Sequence, residues 1–261
     1  MKQKKGDSVT EGIYSTVNSH DDWYSSPVGS YVQLRTEQLI TTLMPLDGRE
    51  RLLDAGCKTG RNLLLFRRLG CTVTGLEPSP EFADKARNRL GSVAEVHRSD
   101  LEDFPFSDDE FDLVTVILSL ESTRNPHNTL REAVRVCRGR IFIGLVNRLS
   151  FSAHRLKTPL FSTAPLHSFS IFDIMRMVRT ILPDVPLDWG SVVCFPVGWH
   201  PLAEGPDRRF PLRRNPFGAI AGLTFPVSYH CRTIQEPLRV DVKTPLRETR
   251  RVPGTACNRR R

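Results

Sequence analysis

Short apolar runs alternate with amphipathic segments through the first half of the chain. The runs predict five strands, at residues 51–55, 72–76, 93–97, 111–118 and 141–146. The fourth run is apolar on both faces after Asp112, which is typical of a central strand in a parallel sheet. Pro78 and Pro80 mark the turn into a helix at 81–90, because proline suits the first turn of a helix. The alternation predicts an α/β fold with a parallel sheet wrapped by helices.

After Asn147 the pattern is weaker. One more amphipathic helix is predicted from the spacing of Phe172, Met175, Val178 and Leu182. Residues 187–195 and 217–228 predict two closing strands, and the Pro- and Arg-rich stretch 198–216 predicts a long loop. Beyond Cys231 apolar residues are too sparse to offset the entropy of ordering. We therefore expect an N-terminal helical segment at 1–48, one domain at 49–231 and a disordered basic tail at 232–261.

The net charge of +8 is concentrated at the two ends of the chain. Residues 1–10 carry +2 and residues 232–261 carry +6, so the residues between them sum to zero. An enzyme that modifies RNA is expected to carry its basic residues on the folded face near its site. Solvated basic tails are therefore the favoured interpretation, and nucleic acid is not an expected partner.

Cysteine usage and hydropathy point to a cytoplasmic protein. Six cysteines are scattered without a Cys-x-x-Cys pair, which is typical of reduced thiols. No run approaches the length of about 18 apolar residues that a membrane span needs. The first residues lack the apolar stretch of a secretory signal. The seven histidines form no His-Glu-x-x-His pattern, so no metal site is expected.

A glycine-bearing turn follows the first predicted strand. Leu53 to Gly60 reads Leu-Asp-Ala-Gly-Cys-Lys-Thr-Gly, and a helix is predicted to begin near Asn62. Such a turn brings backbone close to a ligand and presents amide groups to a carboxylate or phosphate. Glu77 follows the second strand and Asp100 the third, where acids can accept ribose hydroxyls and an adenine amino group. Simpler interpretations stay open: a turn-organising Asp54, a helix-capping Glu77 and a solvated Asp100.

Three further runs accompany this turn. Asp103–Asp112 reads Asp-Phe-Pro-Phe-Ser-Asp-Asp-Glu-Phe-Asp, and Leu130–Val136 reads Leu-Arg-Glu-Ala-Val-Arg-Val. Upstream, Asp21–Tyr31 reads Asp-x-Trp-Tyr-x-x-Pro-x-Gly-x-Tyr. Together with Leu53–Asn62, these runs resemble, in order, the motifs of class I S-adenosylmethionine (SAM)-dependent methyltransferases. The resemblance covers about residues 20–147 well and 148–230 weakly.

The resemblance implies a Rossmann-like, doubly wound, mostly parallel sheet with an antiparallel last strand. It also implies SAM as cofactor and methyl transfer to a small-molecule acceptor, since it is nearest to small-molecule methyltransferases that include quinone-pathway C-methyltransferases. The positions expected to contact the cofactor are Asp54, Gly56, Cys57, Lys58, Gly60, Glu77, Pro78, Asp100, Leu101 and Leu118. The family's N-terminal segment and the region after its fifth strand commonly form the acceptor pocket. The candidates there are His20, Asp21, Tyr24, Tyr31, Glu121, His167 and His200, and no spacing links any of them to a partner.

Two positions depart from the family pattern. Lys58 stands where the family usually has a middle glycine, and Arg138-Gly139-Arg140 replaces its Pro-Gly-Gly turn before the fifth strand. The long stem of Lys58 can carry its bulk toward solvent and let it pair with the cofactor's carboxylate. Alternatively, Lys58 fills space or demands a backbone angle that only glycine provides, which weakens SAM binding.

The sequence also bears on three alternatives to a small-molecule methyltransferase. A nicotinamide-dependent oxidoreductase is excluded, because positions 56, 58 and 61 read Gly, Lys and Arg where Gly-x-Gly-x-x-Gly is required. The neutral body of the chain argues against an RNA methyltransferase. A non-catalytic SAM-binding or interaction protein stays open because of Lys58.

Overall fold

The computed structural model describes residues 17–153, 166–196, 199, 202 and 204–227. The strands there are β1 (Arg51–Ala55), β2 (Thr72–Leu76), β3 (Glu95–His97), β4 (Phe111–Ile117), β5 (Cys137–Val146), β6 (Asp188–Val192) and β7 (Ile220–Pro226). They form one sheet in the order β3-β2-β1-β4-β5-β7-β6. The first five strands are parallel, and β7 pairs antiparallel with both β5 and β6. The predicted Rossmann-like, mostly parallel sheet with an antiparallel last strand is confirmed.

Helices cover both faces of this sheet. They are α1 (residues 17–25), α2 (Pro27–Leu43), α3 (Arg61–Arg68), α4 (Pro80–Leu90), α5 (Pro126–Val136), α6 (Ile171–Ile181) and α7 (Glu204–Arg209). Short polar side chains cap four of them: Ser26, Ser79, Asn125 and Ser170. Proline follows the cap in α2, α4 and α5, where its missing N–H costs no hydrogen bond.

Two apolar cores result, one on each face of the sheet. Leu39 of α2 and Phe66 of α3 are fully buried in one core, and Ala133 of α5 and Ile174 of α6 are fully buried in the other. β4 lies between β1 and β5 and contributes to both cores, which explains its almost continuous apolar sequence. Among the described residues, no helix combines the length and apolarity that a membrane crossing requires.

The fifth strand begins earlier than the sequence predicts. Arg138, Gly139 and Arg140 belong to β5, where a turn was expected. The pairing of β4 with β5 shifts register between Phe111 and Leu113, and a Cβ at position 139 would overlap the backbone of Asp112. Glycine therefore lets the strand continue through a bulge, while Arg138 Nε donates to Asp112 at 2.7 Å.

The stretch 198–216, predicted as a loop, contains a helix and a short pairing with the sheet. Residues 204–209 form α7, and Arg213 makes an isolated antiparallel bridge to Gly190 of β6. Asp207 of α7 is buried against α2, where it accepts hydrogen bonds from Tyr31 and Arg35. The predicted tail at 232–261 and the first 16 residues lie outside the described residues.

Candidate functional site

The carboxyl ends of β1, β2 and β4 meet at one edge of the sheet. Gly56 and Cys57 donate their backbone N–H groups to the Leu76 carbonyl, at 2.7 and 3.0 Å. The Ser119 hydroxyl donates to the Gly56 carbonyl at 2.9 Å. Three turns that are distant in sequence are therefore held together where open α/β sheets bind their ligands.

Gly56 and Gly60 shape the turn after β1. Their φ angles are 79° and 77°, in the left-handed region that favours glycine. A Cβ at position 56 would overlap the side chain of Ser119. Gly60 is the N-cap of α3 and brings no side-chain acceptor of its own, so the positive end of that helix faces the turn.

Asp54, at the end of β1, is 1% exposed. Its Oδ1 accepts a hydrogen bond from the Thr115 hydroxyl at 2.7 Å, whereas its Oδ2 has no donor among the described residues. Burial raises the pKa of Asp54 to about 7 despite the Thr115 hydrogen bond, and the nearby Glu77 carboxylate adds to the rise. Asp54 therefore keeps one buried oxygen that can accept a hydrogen bond from a ligand.

Glu77, directly after β2, ties two of the turns together. Its Oε2 accepts from the Lys58 backbone N–H at 2.9 Å and its Oε1 from that of Ser79 at 3.0 Å. Burial raises the pKa of Glu77, although both backbone hydrogen bonds act to lower it. A carboxylate oxygen can accept two hydrogen bonds, so each oxygen keeps one position for a ligand hydroxyl.

Two non-glycine residues at this edge have left-handed backbone. The φ angles are 49° at Lys58 and 53° at Leu118, and both residues line a cavity of about 20 Å³ together with His20 and Gly56. Such conformations cost about 1–3 kcal/mol each and cluster at functional sites. Their coincidence around one cavity sets this edge apart from the rest of the fold.

The Lys58 side chain faces inward. The residue as a whole is half-buried, but its ammonium group lies in the interior and interacts electrostatically with Glu121, Glu77 and Asp54. Burial lowers the pKa of Lys58, and the three carboxylates oppose that lowering. One of the two arrangements that the sequence leaves open directs the stem toward solvent, and in the structure the side chain instead interacts with these three acids.

Glu121, just after β4, completes this carboxylate cluster. It is 1% exposed, and its Oε1 accepts from the Val146 N–H at 2.9 Å. Its Oε2 has no hydrogen-bond donor within the described part of the chain. Burial raises the pKa of Glu121. Near Lys58, Asp54 and Glu121 thus each have one buried oxygen that receives no hydrogen bond from the described residues.

Helix α1 is fixed over the first turn by Asp21. This carboxylate accepts hydrogen bonds from the Thr59 hydroxyl at 3.0 Å, Arg61 Nε at 3.3 Å and Arg89 Nη2 at 2.5 Å. Burial acts to raise the pKa of Asp21, but Arg89, Thr59 and Arg61 together hold it below its usual value. The N-terminal segment is thereby joined to both α3 and α4.

His20, next to Asp21, is 3% exposed. Neither ring nitrogen has a hydrogen-bond partner among the described residues, and the ring packs edge-on against Tyr24 and Phe82. Burial, together with the Lys58 charge, lowers the pKa of His20 to about 3. The ring is therefore neutral at physiological pH, where it can accept a hydrogen bond but is a weak base.

The remaining predicted cofactor positions lie at the same edge. Leu101 is buried 3.4 Å from the place that a Cβ of Gly56 would occupy. Asp100 is exposed and accepts from the Glu102 N–H at 3.0 Å, and Pro78 is exposed beside Glu77. Burial raises the pKa of the Cys57 thiol, so it stays protonated and serves packing.

The predicted acceptor-side residues separate into two groups. His20, Asp21, Tyr24 and Glu121 surround the first turn, and the Arg61 guanidinium lies 5.1 Å from the Tyr24 ring centre. Tyr31 instead donates its hydroxyl to Asp207. The His167 N–H donates to the Glu121 carbonyl at 3.0 Å, and the ring stacks on Phe169. His200 lies outside the described residues.

Residues 53–142 match the family model of a methyltransferase domain. The matched segment begins in β1 and ends within β5, and it contains the three turns described above. The segment from β1 into β5 is therefore similar to a methyltransferase domain.

Known methyltransferases resemble this chain over different lengths. It is 33% identical over 97 residues to a demethylmenaquinone methyltransferase of Tropheryma whipplei, covering 36% of this chain and 41% of that protein. It is 29% identical over 185 residues to a ubiquinone/menaquinone biosynthesis C-methyltransferase of Roseobacter denitrificans, covering 67% and 70%. A SAM-dependent methyltransferase of Thermotoga maritima superimposes with a TM-score of 0.65 at 20% identity, covering 84% and 99%, which shows the shared fold. The first match thus spans less than half of that relative's length.

Several residues at this site are not visible in the sequence motifs. Thr115 orients Asp54, Ser119 holds Gly56, and Arg89 bonds both Asp21 and the Thr59 carbonyl. Each acts on a residue from 30 to 68 positions away in the chain. A linear motif carries no signal for such partners.

Proposed function

We propose that this chain binds SAM and transfers its methyl group to a small-molecule acceptor. The observation that carries the proposal is the convergence of Gly56, Asp54 and Glu77 at the carboxyl edge of the sheet. Their chemistry fits the cofactor: Glu77 would accept ribose hydroxyls, Asp54 Oδ2 would accept from the ammonium of the methionine part, and the glycine turn would allow close backbone approach. Asp100 and Leu101 would lie beside the adenine.

The bound cofactor supplies an activated methyl group on a positively charged sulfur. The residues of this chain then need to orient two reactants and exclude water, and such positioning is worth about 7–11 kcal/mol of the barrier. Helix α1, fixed by Asp21, would cover one side of the site. His20 would offer a neutral hydrogen-bond acceptor, whereas its pKa of about 3 argues against a strong general base.

We further propose that the acceptor is a small molecule with an apolar part. Asn147 Nδ2 donates to the carbonyls of Pro216 and Gly218, at 2.7 and 3.1 Å, which joins the segment after β5 to the start of β7. The exposed Leu149 and Phe217 lie on these two segments, close in sequence to Val146, which bonds Glu121. The relatives named for demethylmenaquinone and for ubiquinone/menaquinone biosynthesis support the same class of acceptor.

The test begins with cofactor affinity. Losing hydrogen bonds to a charged acceptor costs about 1.5–3 kcal/mol each, so Glu77→Ala should weaken SAM binding at least about tenfold. Titration calorimetry measures this, with Asp84→Ala as the control because Asp84 is an exposed acid on α4. An unchanged dissociation constant in a folded Glu77→Ala protein contradicts the ribose assignment.

A screen for methyl acceptors follows. Radiolabelled SAM should label quinols or other apolar small molecules in preference to transfer RNA. Binding of SAM with no labelling of any acceptor class would favour the alternative function, a non-catalytic SAM-binding protein, which the inward-facing Lys58 supports.

A further inference from the structure

Lys58 has an unusual backbone for its residue type. Its φ of 49° lies in the left-handed region, and its backbone N–H is bound to Glu77 Oε2 at 2.9 Å. The backbone of Lys58 is therefore held by the conformation of the turn and by its hydrogen bond to the Glu77 carboxylate. A change in the position of the ammonium group must come from the flexible stem of the side chain.

The ammonium group lies among acids from three different strand ends. Asp54 comes from β1, Glu77 follows β2 and Glu121 follows β4, and each of them is 5% exposed or less. His20 faces the same place from α1 and is neutral at physiological pH. Burying an ionised carboxylate costs free energy of folding unless a cation compensates the charge. Lys58 interacts electrostatically with all three of these acids.

Space at this position is limited. The cavity lined by His20, Gly56, Lys58 and Leu118 measures about 20 Å³, which is room for about one water molecule. Pockets that hold a small-molecule ligand or a cofactor measure about 300–1,000 Å³. Helix α1 is held by the hydrogen bonds of Asp21, whereas the long stem of Lys58 can move without the backbone.

We propose that Lys58 is an internal counter-ion that occupies the cation position of the cofactor site and leaves it when SAM binds. The proposal rests on the proposed function. The SAM ammonium and sulfonium would replace the lysine charge beside Asp54 and Glu121. Lys58 therefore sets the selectivity of the site between a cationic cofactor and its neutral-sulfur product, S-adenosylhomocysteine.

The experiment compares SAM with S-adenosylhomocysteine in the wild type, Lys58→Met and Lys58→Gly. Methionine keeps most of the volume and removes the charge. Glycine also removes the charge and suits the left-handed backbone, so it keeps the test valid if Lys58→Met folds poorly. Both variants should bind SAM at least tenfold more tightly than the wild type. Because S-adenosylhomocysteine lacks the sulfonium charge, its affinity should rise less, and the ratio of the two affinities should increase at least fivefold.

Other outcomes overturn the assignment. If Lys58 instead pairs with the cofactor's carboxylate, which both molecules carry, both affinities fall together and their ratio stays constant. Unchanged affinities for both molecules also contradict the counter-ion role. Failure of the wild type and of both variants to bind either molecule overturns the proposed function itself.

A second measurement examines the counter-ion without any cofactor. Lys58→Met should lower the melting temperature at pH 8, because the carboxylates lose their compensating charge. Adding Glu121→Gln should restore part of that loss. Equal melting temperatures of wild type and Lys58→Met contradict the proposal.

Discussion

Buried acids lie in two regions of the fold, and their hydrogen bonding differs. Asp207 is 1% exposed, and both of its carboxylate oxygens have donors: Tyr31 and Arg35 Nε on Oδ2, and the Cys194 N–H on Oδ1 at 2.6 Å. Asp54 and Glu121 are equally buried, but each has one oxygen without a donor among the described residues.

The comparison separates acids that hold the fold together from acids that can bind a ligand. A satisfied buried carboxylate stabilises one arrangement of its neighbours, and removing it leaves their charges and N–H groups unpaired. An unsatisfied one costs stability, which a ligand that donates a hydrogen bond can recover. The two regions should therefore respond in opposite directions when the acid is removed.

The largest effect is expected at Asp207. Asp207→Ala leaves the Arg35 guanidinium buried without its carboxylate and should lower the free energy of unfolding by about 3–5 kcal/mol. Urea denaturation measures the loss. The control is Glu204→Ala on the same helix, since its ion pair with Arg208 is exposed and such pairs contribute about 0–1 kcal/mol. Similar losses in the two variants would contradict the structural role of Asp207.

The opposite sign is expected at Asp54. Its pKa is about 7 in the native state against an ordinary 3.8, so between those values the native state binds more protons than the unfolded state. By linkage, this group makes the protein less stable as the pH rises from 3.8 to 7, and the full cost is present above pH 7. Asp54→Asn should therefore stabilise the cofactor-free protein by about 1–4 kcal/mol at pH 8 and leave it unchanged near pH 3.8.

Asp112 provides a matched control for that prediction. Although burial acts to raise its pKa, hydrogen bonds and charges from Arg51 and Arg138 lower it below the ordinary value. Asp112→Asn should therefore reduce stability at neutral pH and have little effect once the pH is low enough to protonate the wild-type acid. Melting temperatures of both variants across pH 3–8 should diverge in opposite directions, and parallel curves would be inconsistent with our interpretation of the two sites.

The smallest effect is expected at Thr115, whose hydroxyl donates the one hydrogen bond that Asp54 receives from a described side chain. Thr115→Val removes the hydroxyl that donates to Oδ1 and should cost about 1–3 kcal/mol at pH 8, where Asp54 is ionised. The cost should shrink at pH 5, where Asp54 is protonated. Thr224→Val is the control, because its hydroxyl donates to the Ile141 carbonyl and its loss should be independent of pH. A pH-independent cost at Thr115 would mean that Asp54 does not change charge in this range.

The sequence predicted correctly those elements whose signals, an apolar run and the turn or cap beside it, lie close together in the chain. The bounds of β1 and β2 agree with prediction because each is a short apolar run followed by a turn, and α4 begins at Pro80 after its Ser79 cap. The start of β5 was missed because Arg138 and Arg140 are polar and look like a turn. They pair with β4 through a bulge, which a linear pattern does not reveal.

Helix α7 was missed for a related reason. Its sequence, Glu-Gly-Pro-Asp-Arg-Arg, has low helix propensity. Hydrogen bonds that Tyr31 and Arg35 of α2 donate to Asp207 hold this helix in place. At the site, the motif residues Asp54, Gly56 and Glu77 were predicted to lie together, and the structure brings their turns into contact. The inward direction of Lys58 depends on Glu121, 63 positions later, and no local spacing encodes it.

The position of β7 has a consequence for synthesis of the chain. β7 lies between β5 and β6 although it follows β6 in the chain, so β6 leaves the ribosome before its neighbour in the sheet exists. Until residue 226 emerges, the nascent sheet can contain only its parallel part, with β5 as an open edge. Open edges pair readily with other chains, so the newborn protein is exposed to edge-to-edge aggregation while the segment from β6 to β7 is translated.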